Sequence, residues 1–130
     1  MVEQLPVCEI QITQALIDAY AAISGDFNPI HVDPVAGAAS PFGGTIAHGC
    51  IAMEPIFQSI QRWLGEETLP PGTAIRLRYR APSRPGDTIR SDVSISSEAH
   101  ENGHRRLSLA FLCINQRGER VLDGDCELVL

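Results

Sequence analysis

Asp26 and His31 lie five positions apart in the segment SGDFNPIHVD, residues 24–33, on either side of Pro29. Proline has no N–H and biases the residue before it toward extended geometry, so Asp-Phe-Asn-Pro cannot continue a helix. The chain must turn there, and a turn lets a carboxylate and an imidazole converge on one point. An ionised carboxylate accepts a proton, while a neutral imidazole both donates and accepts. Such a pair suits holding one water, orienting it as a nucleophile and moving its proton. Asn28, inside the turn, is expected to brace it, and it also counts among the residues that could meet a substrate. Ser24 is expected to bond locally.

A helix must deliver the chain to this turn. Thr13 can cap one running to about Ser24, with Leu16, Ile17, Tyr20 and Ile23 on one face and Gly25 as its stop. Residues 25–47 are rich in prolines, glycines and small side chains, with one short helix expected to begin at Asp33-Pro34. A connection this long inside a compact fold usually has a function. A second helix is predicted over 48–65, HGCIAMEPIFQSIQRWLG, apolar around much of its circumference and ended by Gly65. Pro55 within it predicts a kink or a later start.

The second half alternates as strands do, over about 73–81, 87–98, 105–115 and 119–129, with turns at Pro85-Gly86-Asp87, Asn102-Gly103 and Arg117-Gly118. With an N-terminal strand over about 4–11, this gives a five-stranded antiparallel sheet and one long helix to cover a face, an α+β class. No internal repeat appears, and residues 1–130 read as a single domain.

Composition narrows the range of partners. The 130 residues are 44% hydrophobic with a net charge of −6, which disfavours nucleic acid, whose backbone demands a basic surface. The start, MVEQLPVCEI, has no basic segment followed by a long apolar run, and no stretch reaches the ~18 apolar residues of a membrane span. A cytoplasmic protein with no membrane partner is expected. Cys8, Cys50, Cys113 and Cys126 show no CxxC or CxxH spacing, so neither a zinc site nor any other metal or cofactor is expected. Three of them fall in apolar strand contexts and should be buried free thiols; Cys50 should lie in the first turn of the second helix.

Tyr20, Ser24, Gly25, Asp26, Asn28, Pro29, His31 and Asp33, followed by Ile46, His48 and Gly49, resemble the signature of the MaoC-like, (R)-specific enoyl-CoA hydratase family. The likeness extends through the strand pattern over nearly the whole chain. It implies a hotdog fold, a long central helix wrapped by a curved antiparallel sheet, usually paired as a homodimer. It further implies that Asp26 and His31 hold the water that adds to the β-carbon of a trans-2-enoyl thioester, giving an (R)-3-hydroxyacyl product, or catalyse the reverse dehydration. The backbone N–H of Gly49 would match the family's oxyanion donor.

A second feature concerns binding. Period-two alternation places Arg76, Arg78 and Arg80 on one strand face, with Arg84 and Arg90 nearby in sequence. Arginine recognises phosphate well, so Arg76, Arg78, Arg80 and Arg84 are candidates for the phosphates of coenzyme A, and an acyl-CoA or acyl-carrier-protein thioester is the expected partner. Two other functions are compatible with the pattern: an acyl-CoA thioesterase using Glu54, and a non-catalytic subunit that binds acyl thioesters.

Overall fold

The computed structural model describes residues 3–130. Along the chain run β1 (Glu3–Gln4), β2 (Glu9–Gln11), α1 (Gln14–Ser24), α2 (Pro29–Val32), α3 (Pro34–Ala39), α4 (Gly49–Leu64), β3 (Ala74–Tyr79), β4 (Thr88–Glu101), β5 (His104–Ile114) and β6 (Arg120–Val129). All strands pair antiparallel in one sheet of order β1-β4-β5-β6-β3, with β2 also on β4. The α+β class and the sheet around one long helix are as expected from the sequence.

The helices begin and end where local chemistry requires. Thr13 accepts a hydrogen bond from the Leu16 N–H at the start of α1, and Gly25 and Gly65 close α1 and α4 in the left-handed conformation. Asn102 (φ 52°) and Gly103 (φ 80°) make the tight β4–β5 hairpin, where positive φ at both positions matches strand twist. Alternate residues of the strands point to α4. Ile89 and Val93 of β4, Leu107 and Leu109 of β5, and Cys126 and Leu128 of β6 are buried with Ile51, Ile56 and Ile60 of the helix. A bulge between Ile95 and Ser97 sets Ser96 outside the β4–β5 register, the kind of irregularity that bends a sheet around what it covers.

Three local expectations need correction. The N-terminal strand is two short strands, and the sheet has six rather than five, because Pro6 cannot donate to a ladder. The Pro6 carbonyl instead accepts from Ser59 Oγ at 2.6 Å, which ties the break to α4. Residues 25–47 hold two short helices, not one, since Pro29 starts α2 just as Pro34 starts α3. Finally, α4 runs unbroken from Gly49 through the buried Pro55, so the alternative of a later start falls away.

The turn before β4 carries a buried carboxylate. Asp87 accepts from the Arg84 N–H (3.0 Å), Gln116 Nε2 (2.8 Å) and Arg117 Nη1 (3.0 Å). Burial by itself would raise its pKa, but the bonds from Arg117, Gln116 and the Arg84 backbone outweigh burial and lower it. A carboxyl whose folded pKa is depressed adds stability above its unfolded value, about 3.9, and that stability disappears as pH falls through the folded value. Melting temperature should therefore drop on acidification below about pH 4. Asp87→Asn should lower the melting temperature at pH 7 and flatten this acid limb; an unchanged acid limb in that variant would show that other carboxylates govern it.

Candidate active site

The turn after α1 is built from side chains that cap backbone N–H groups two residues onward. Ser24 Oγ accepts from Asp26 N, Asp26 Oδ1 from Asn28 N, Asn28 Oδ1 from Ile30 N and Asp33 Oδ1 from Val35 N, at 2.9–3.2 Å. Short polar side chains recur here because each replaces a backbone partner that the turning chain has lost. Asn28 thus braces the turn as expected and caps α2.

With Oδ1 committed to the turn, Asp26 Oδ2 faces His31 Nε2 across 3.8 Å. The carboxylate is about half exposed, at 53%, and the imidazole is largely covered, at 13%. The opposite ring nitrogen, His31 Nδ1, lies 2.8 Å from the Ile46 carbonyl. A carbonyl only accepts, so Nδ1 carries a proton, and in the neutral form of the ring Nε2 is the acceptor that faces Asp26. Two acceptors 3.8 Å apart make no direct hydrogen bond. One water between them can donate a hydrogen to each, which leaves its oxygen lone pairs free for a third partner.

The scaffold behind this pair is specific. Gln14 of α1 donates to the His31 carbonyl at 2.8 Å and accepts from Thr45 Oγ1 at 2.7 Å, while Ile46 N donates to the Ile30 carbonyl. These bonds fix α2 against residues 45–47. His48, the residue before α4, stacks on His31 with ring centroids 3.9 Å apart and donates from Nε2 to the Asp26 carbonyl at 2.9 Å. It therefore touches both members of the pair, one through its face and the other through its edge. Tyr20 of α1 packs against His48 in a tilted arrangement, 4.7 Å between centroids. The Cys50 thiol beside it, and then burial, hold the Tyr20 phenol above its ordinary pKa range, so it stays protonated.

Gly49 opens α4, and the first N–H groups of a helix have no partner within it. His48 makes no side-chain cap there. A Cβ on Gly49 would stand 2.5 Å from Tyr79 Cζ, so glycine is what lets the β3 tyrosine lie across the helix start. The helix start opens on a cleft of about 390 Å³, within the range of small-molecule sites. His31, His48 and Gly49 line one part of it, and Ile46, Ala47, Ala52, Ala81 and Val121 make much of the remainder apolar.

The arginines do not converge with this constellation. Arg76 pairs with Asp125 at 3.1 Å, and Arg78, Arg80 and Arg120 surround Asp123, so the stripe faces carboxylates of neighbouring β6. Of the four candidates Arg80 alone lines the cleft. The Arg84 guanidinium donates to the Phe42 carbonyl and pins the loop before the site. Glu54 is half-buried on α4 and does not line the cleft. As predicted, Cys8, Cys113 and Cys126 are buried, and burial pushes the Cys113 thiol up to about 12 and Cys126 to about 11, while Cys50 is exposed in the first turn of α4.

Asp26, His31 and His48 each bring a potential ligand atom within 4.8 Å of the others, the one such group among the described residues. Both imidazoles commit one ring nitrogen to a backbone carbonyl, however, and the other nitrogen of His48 is buried. One carboxylate and one imidazole remain open, a set for a water rather than a closed metal cage.

Residues 3–107 match the MaoC like domain family. The chain is also 35% identical over 118 residues to a 3-hydroxybutyryl-CoA dehydratase of Methylorubrum extorquens, covering 88% of this chain and 71% of that protein. The chain belongs to the MaoC-like family. The chain is likewise 34% identical over 77 residues to 3-hydroxyacyl-thioester dehydratase X of Mycobacterium tuberculosis, covering 59% of this chain and 26% of that longer protein. Among solved structures, the R-hydratase PhaJ1 from Pseudomonas aeruginosa superposes with a TM-score of 0.76 at 30% identity, covering 97% of this chain and 80% of that one. The (R)-hydratase from A. caviae gives 0.82 at 24% identity, over 98% and 94%, and shares the MaoC-like hotdog fold.

Sequence reading missed two parts of this MaoC-like site. Tyr79 lies across the helix start although it is distant in sequence, and only strand register brings it there. Ser83, in the loop after β3, lines the cleft with no motif to announce it.

Proposed function

We propose that this chain is a hydro-lyase that adds water reversibly to a trans-2-enoyl thioester, giving an (R)-3-hydroxyacyl thioester, with Asp26, His31 and Gly49 as its catalytic groups. The observation that carries this reading is the facing of Asp26 Oδ2 and His31 Nε2 at 3.8 Å, with His31 locked in the accepting tautomer by Ile46. The names of relatives, a 3-hydroxybutyryl-CoA dehydratase and an R-hydratase, agree with it.

In the hydration direction the water held by the pair attacks C3 of the enoyl group, and one of its protons passes to the pair. The C2–C3 π electrons move toward the carbonyl, where the first-turn N–H of Gly49 meets the developing oxyanion. The pair then returns a proton to C2 as the carbonyl reforms. Water and proton arrive from one side, so the addition is syn. The chemistry requires no cofactor.

The substrate is an acyl-CoA or an acyl-carrier-protein thioester. Arg80, at the cleft, is the arginine best placed to meet its phosphates, and like Arg76, Arg78 and Arg84 it would first have to leave its present partner, here Asp123. Among the described residues no strand pairs with the outer side of six-residue β3, which supports pairing of two copies into a homodimer. Light scattering should return twice the chain mass; a monomer would remove that part of the reading. No helix among the described residues is long and apolar enough to cross a membrane, which suits a cytoplasmic enzyme.

Purified protein mixed with crotonyl-CoA should bleach the conjugated enoyl absorbance and release no free thiol. Thiol release without bleaching would instead favour a thioesterase and end the hydro-lyase reading. Gly49→Ala should lower kcat about tenfold or more, because its Cβ must displace Tyr79 or tilt the N–H donor. If the clash with Tyr79 is the cause, adding Tyr79→Ala should recover part of that loss, and steady-state kinetics on both variants would decide it.

A further inference from the structure

Asp26 and His31 are not held equally well. The His31 N–H donates to the Asn28 carbonyl at 2.9 Å, its carbonyl accepts from Gln14 at 2.8 Å, and its Nδ1 is bonded to Ile46. The last two of these bonds reach other segments of the chain. Asp26 has less support. It lies in an exposed stretch, residues 22–29, and both the bond from its N–H to Ser24 Oγ and the bond from the Asn28 N–H to its Oδ1 stay within the turn. Among the described residues, a single hydrogen bond ties Asp26 to another part of the chain, the one at 2.9 Å from His48 Nε2 to its carbonyl.

His48 is itself fixed on both sides. It is 4% exposed, its carbonyl accepts from the Ile51 N–H at 3.1 Å in the first turn of α4, and the N–H of the preceding Ala47 donates to the Ser83 carbonyl at 2.7 Å. Its ring lies over that of His31 with 26° between the planes. Both contacts with the pair spare the facing atoms: one uses the main-chain carbonyl of Asp26, the other the ring face of His31, and Oδ2 and Nε2 stay open to each other. Packing alone would be served by a phenylalanine, which would stack without the buried, unpartnered Nδ1 that His48 carries. The following residue is Gly49, so the residue that anchors Asp26 also leads into the helix start that meets the oxyanion.

We infer that His48 is a positioning residue, holding the Asp26 turn at its distance from His31 and both in one frame with the Gly49 N–H. This rests on the hydro-lyase reading above and adds to it the residue that keeps the water and the oxyanion donor in register. Rates depend steeply on such geometry, and a displacement of about 1 Å can lower one about a hundredfold.

The test is steady-state hydration of crotonyl-CoA by His48→Phe and His48→Gln, each made in the wild type and in Asp26→Asn. His48→Phe keeps an aromatic face for His31 and loses the donor to Asp26; it should lower kcat about tenfold to a hundredfold, with KM within about threefold of wild type. His48→Gln retains a donor, so it should recover part of that loss while still falling at least about threefold below wild type. In Asp26→Asn either substitution should cost less than about threefold, because the carboxylate that His48 positions is already gone. A residue that served folding alone would lower the melting temperature and act alike in both backgrounds. Wild-type kcat in folded His48→Phe, a loss confined to KM, or an undiminished loss in Asp26→Asn each overturns the inference and leaves the hydro-lyase reading intact. Should His48→Phe not fold, His48→Gln decides by the same comparison: no loss of kcat, or an equal loss in both backgrounds, overturns it. Absence of hydration by the wild type instead overturns the hydro-lyase reading, and this inference with it.

Discussion

Asp26→Asn should lower kcat for enoyl-CoA hydration by about a thousandfold, within the range spanned by general acid-base contributions. The asparagine keeps the size of the aspartate and one oxygen able to accept the Asn28 N–H, so the turn and α2 survive the change. What it loses is the second acceptor oxygen that faces His31 at 3.8 Å. An amide NH₂ at that point donates rather than accepts, and it cannot take a proton from the water. The effect should therefore fall on kcat, with KM changing much less, because the side chain lies outside the cleft lining. Circular dichroism and the melting temperature should match the wild type, which separates lost chemistry from lost folding. Turnover within a few-fold of wild type would remove Asp26 from the mechanism.

His31→Asn should be nearly as damaging, lowering kcat by about a hundredfold to a thousandfold. The amide NH₂ of asparagine can stand where Nδ1 stands and keep the bond to the Ile46 carbonyl, but it leaves nothing at the position of Nε2. The informative measurement is the double variant. If Asp26 and His31 hold one water between them, removing either releases it, and the second substitution has little left to remove. Effects of groups that act as a unit are strongly non-additive. Asp26→Asn with His31→Asn should therefore be less than about tenfold slower than the worse single variant. Losses that multiply would mean two independent roles and would contradict the shared water.

Much of this site was readable from the sequence because its parts are local. Asp26, Asn28, Pro29 and His31 belong to one turn, and the residue types that make the turn are the same ones that direct the carboxylate and the imidazole toward each other. Thr13, Gly25 and Gly65 announced their helix ends for a similar reason, since caps act on backbone groups within a few residues. The arginine stripe shows where such reading stops. Alternation correctly placed Arg76, Arg78 and Arg80 along one strand face, but Asp123 and Asp125, their partners, lie more than forty residues away on β6. Whether a strand charge is free for a ligand depends on its neighbour across the ladder. The split of the N-terminal strand at Pro6 was open to detection, since proline cannot donate to a ladder.

The sequence by itself determined the class of fold, the order of α1, α4 and the four strands β3–β6, and the carboxylate and imidazole of the turn after α1, all of which follow from periodicity, capping and turn chemistry acting over short spans. Only the tertiary structure decided which atoms of those residues face each other. It set the Ile46 carbonyl against His31 Nδ1 and thereby chose the tautomer, stacked His48 on His31, and laid Tyr79 across Gly49. It also joined the Ser83 carbonyl to the Ala47 N–H in the cleft wall. These are contacts between segments brought together by the packing of the sheet on α4, and a hydrogen bond depends on distance and direction that no local pattern in the chain encodes.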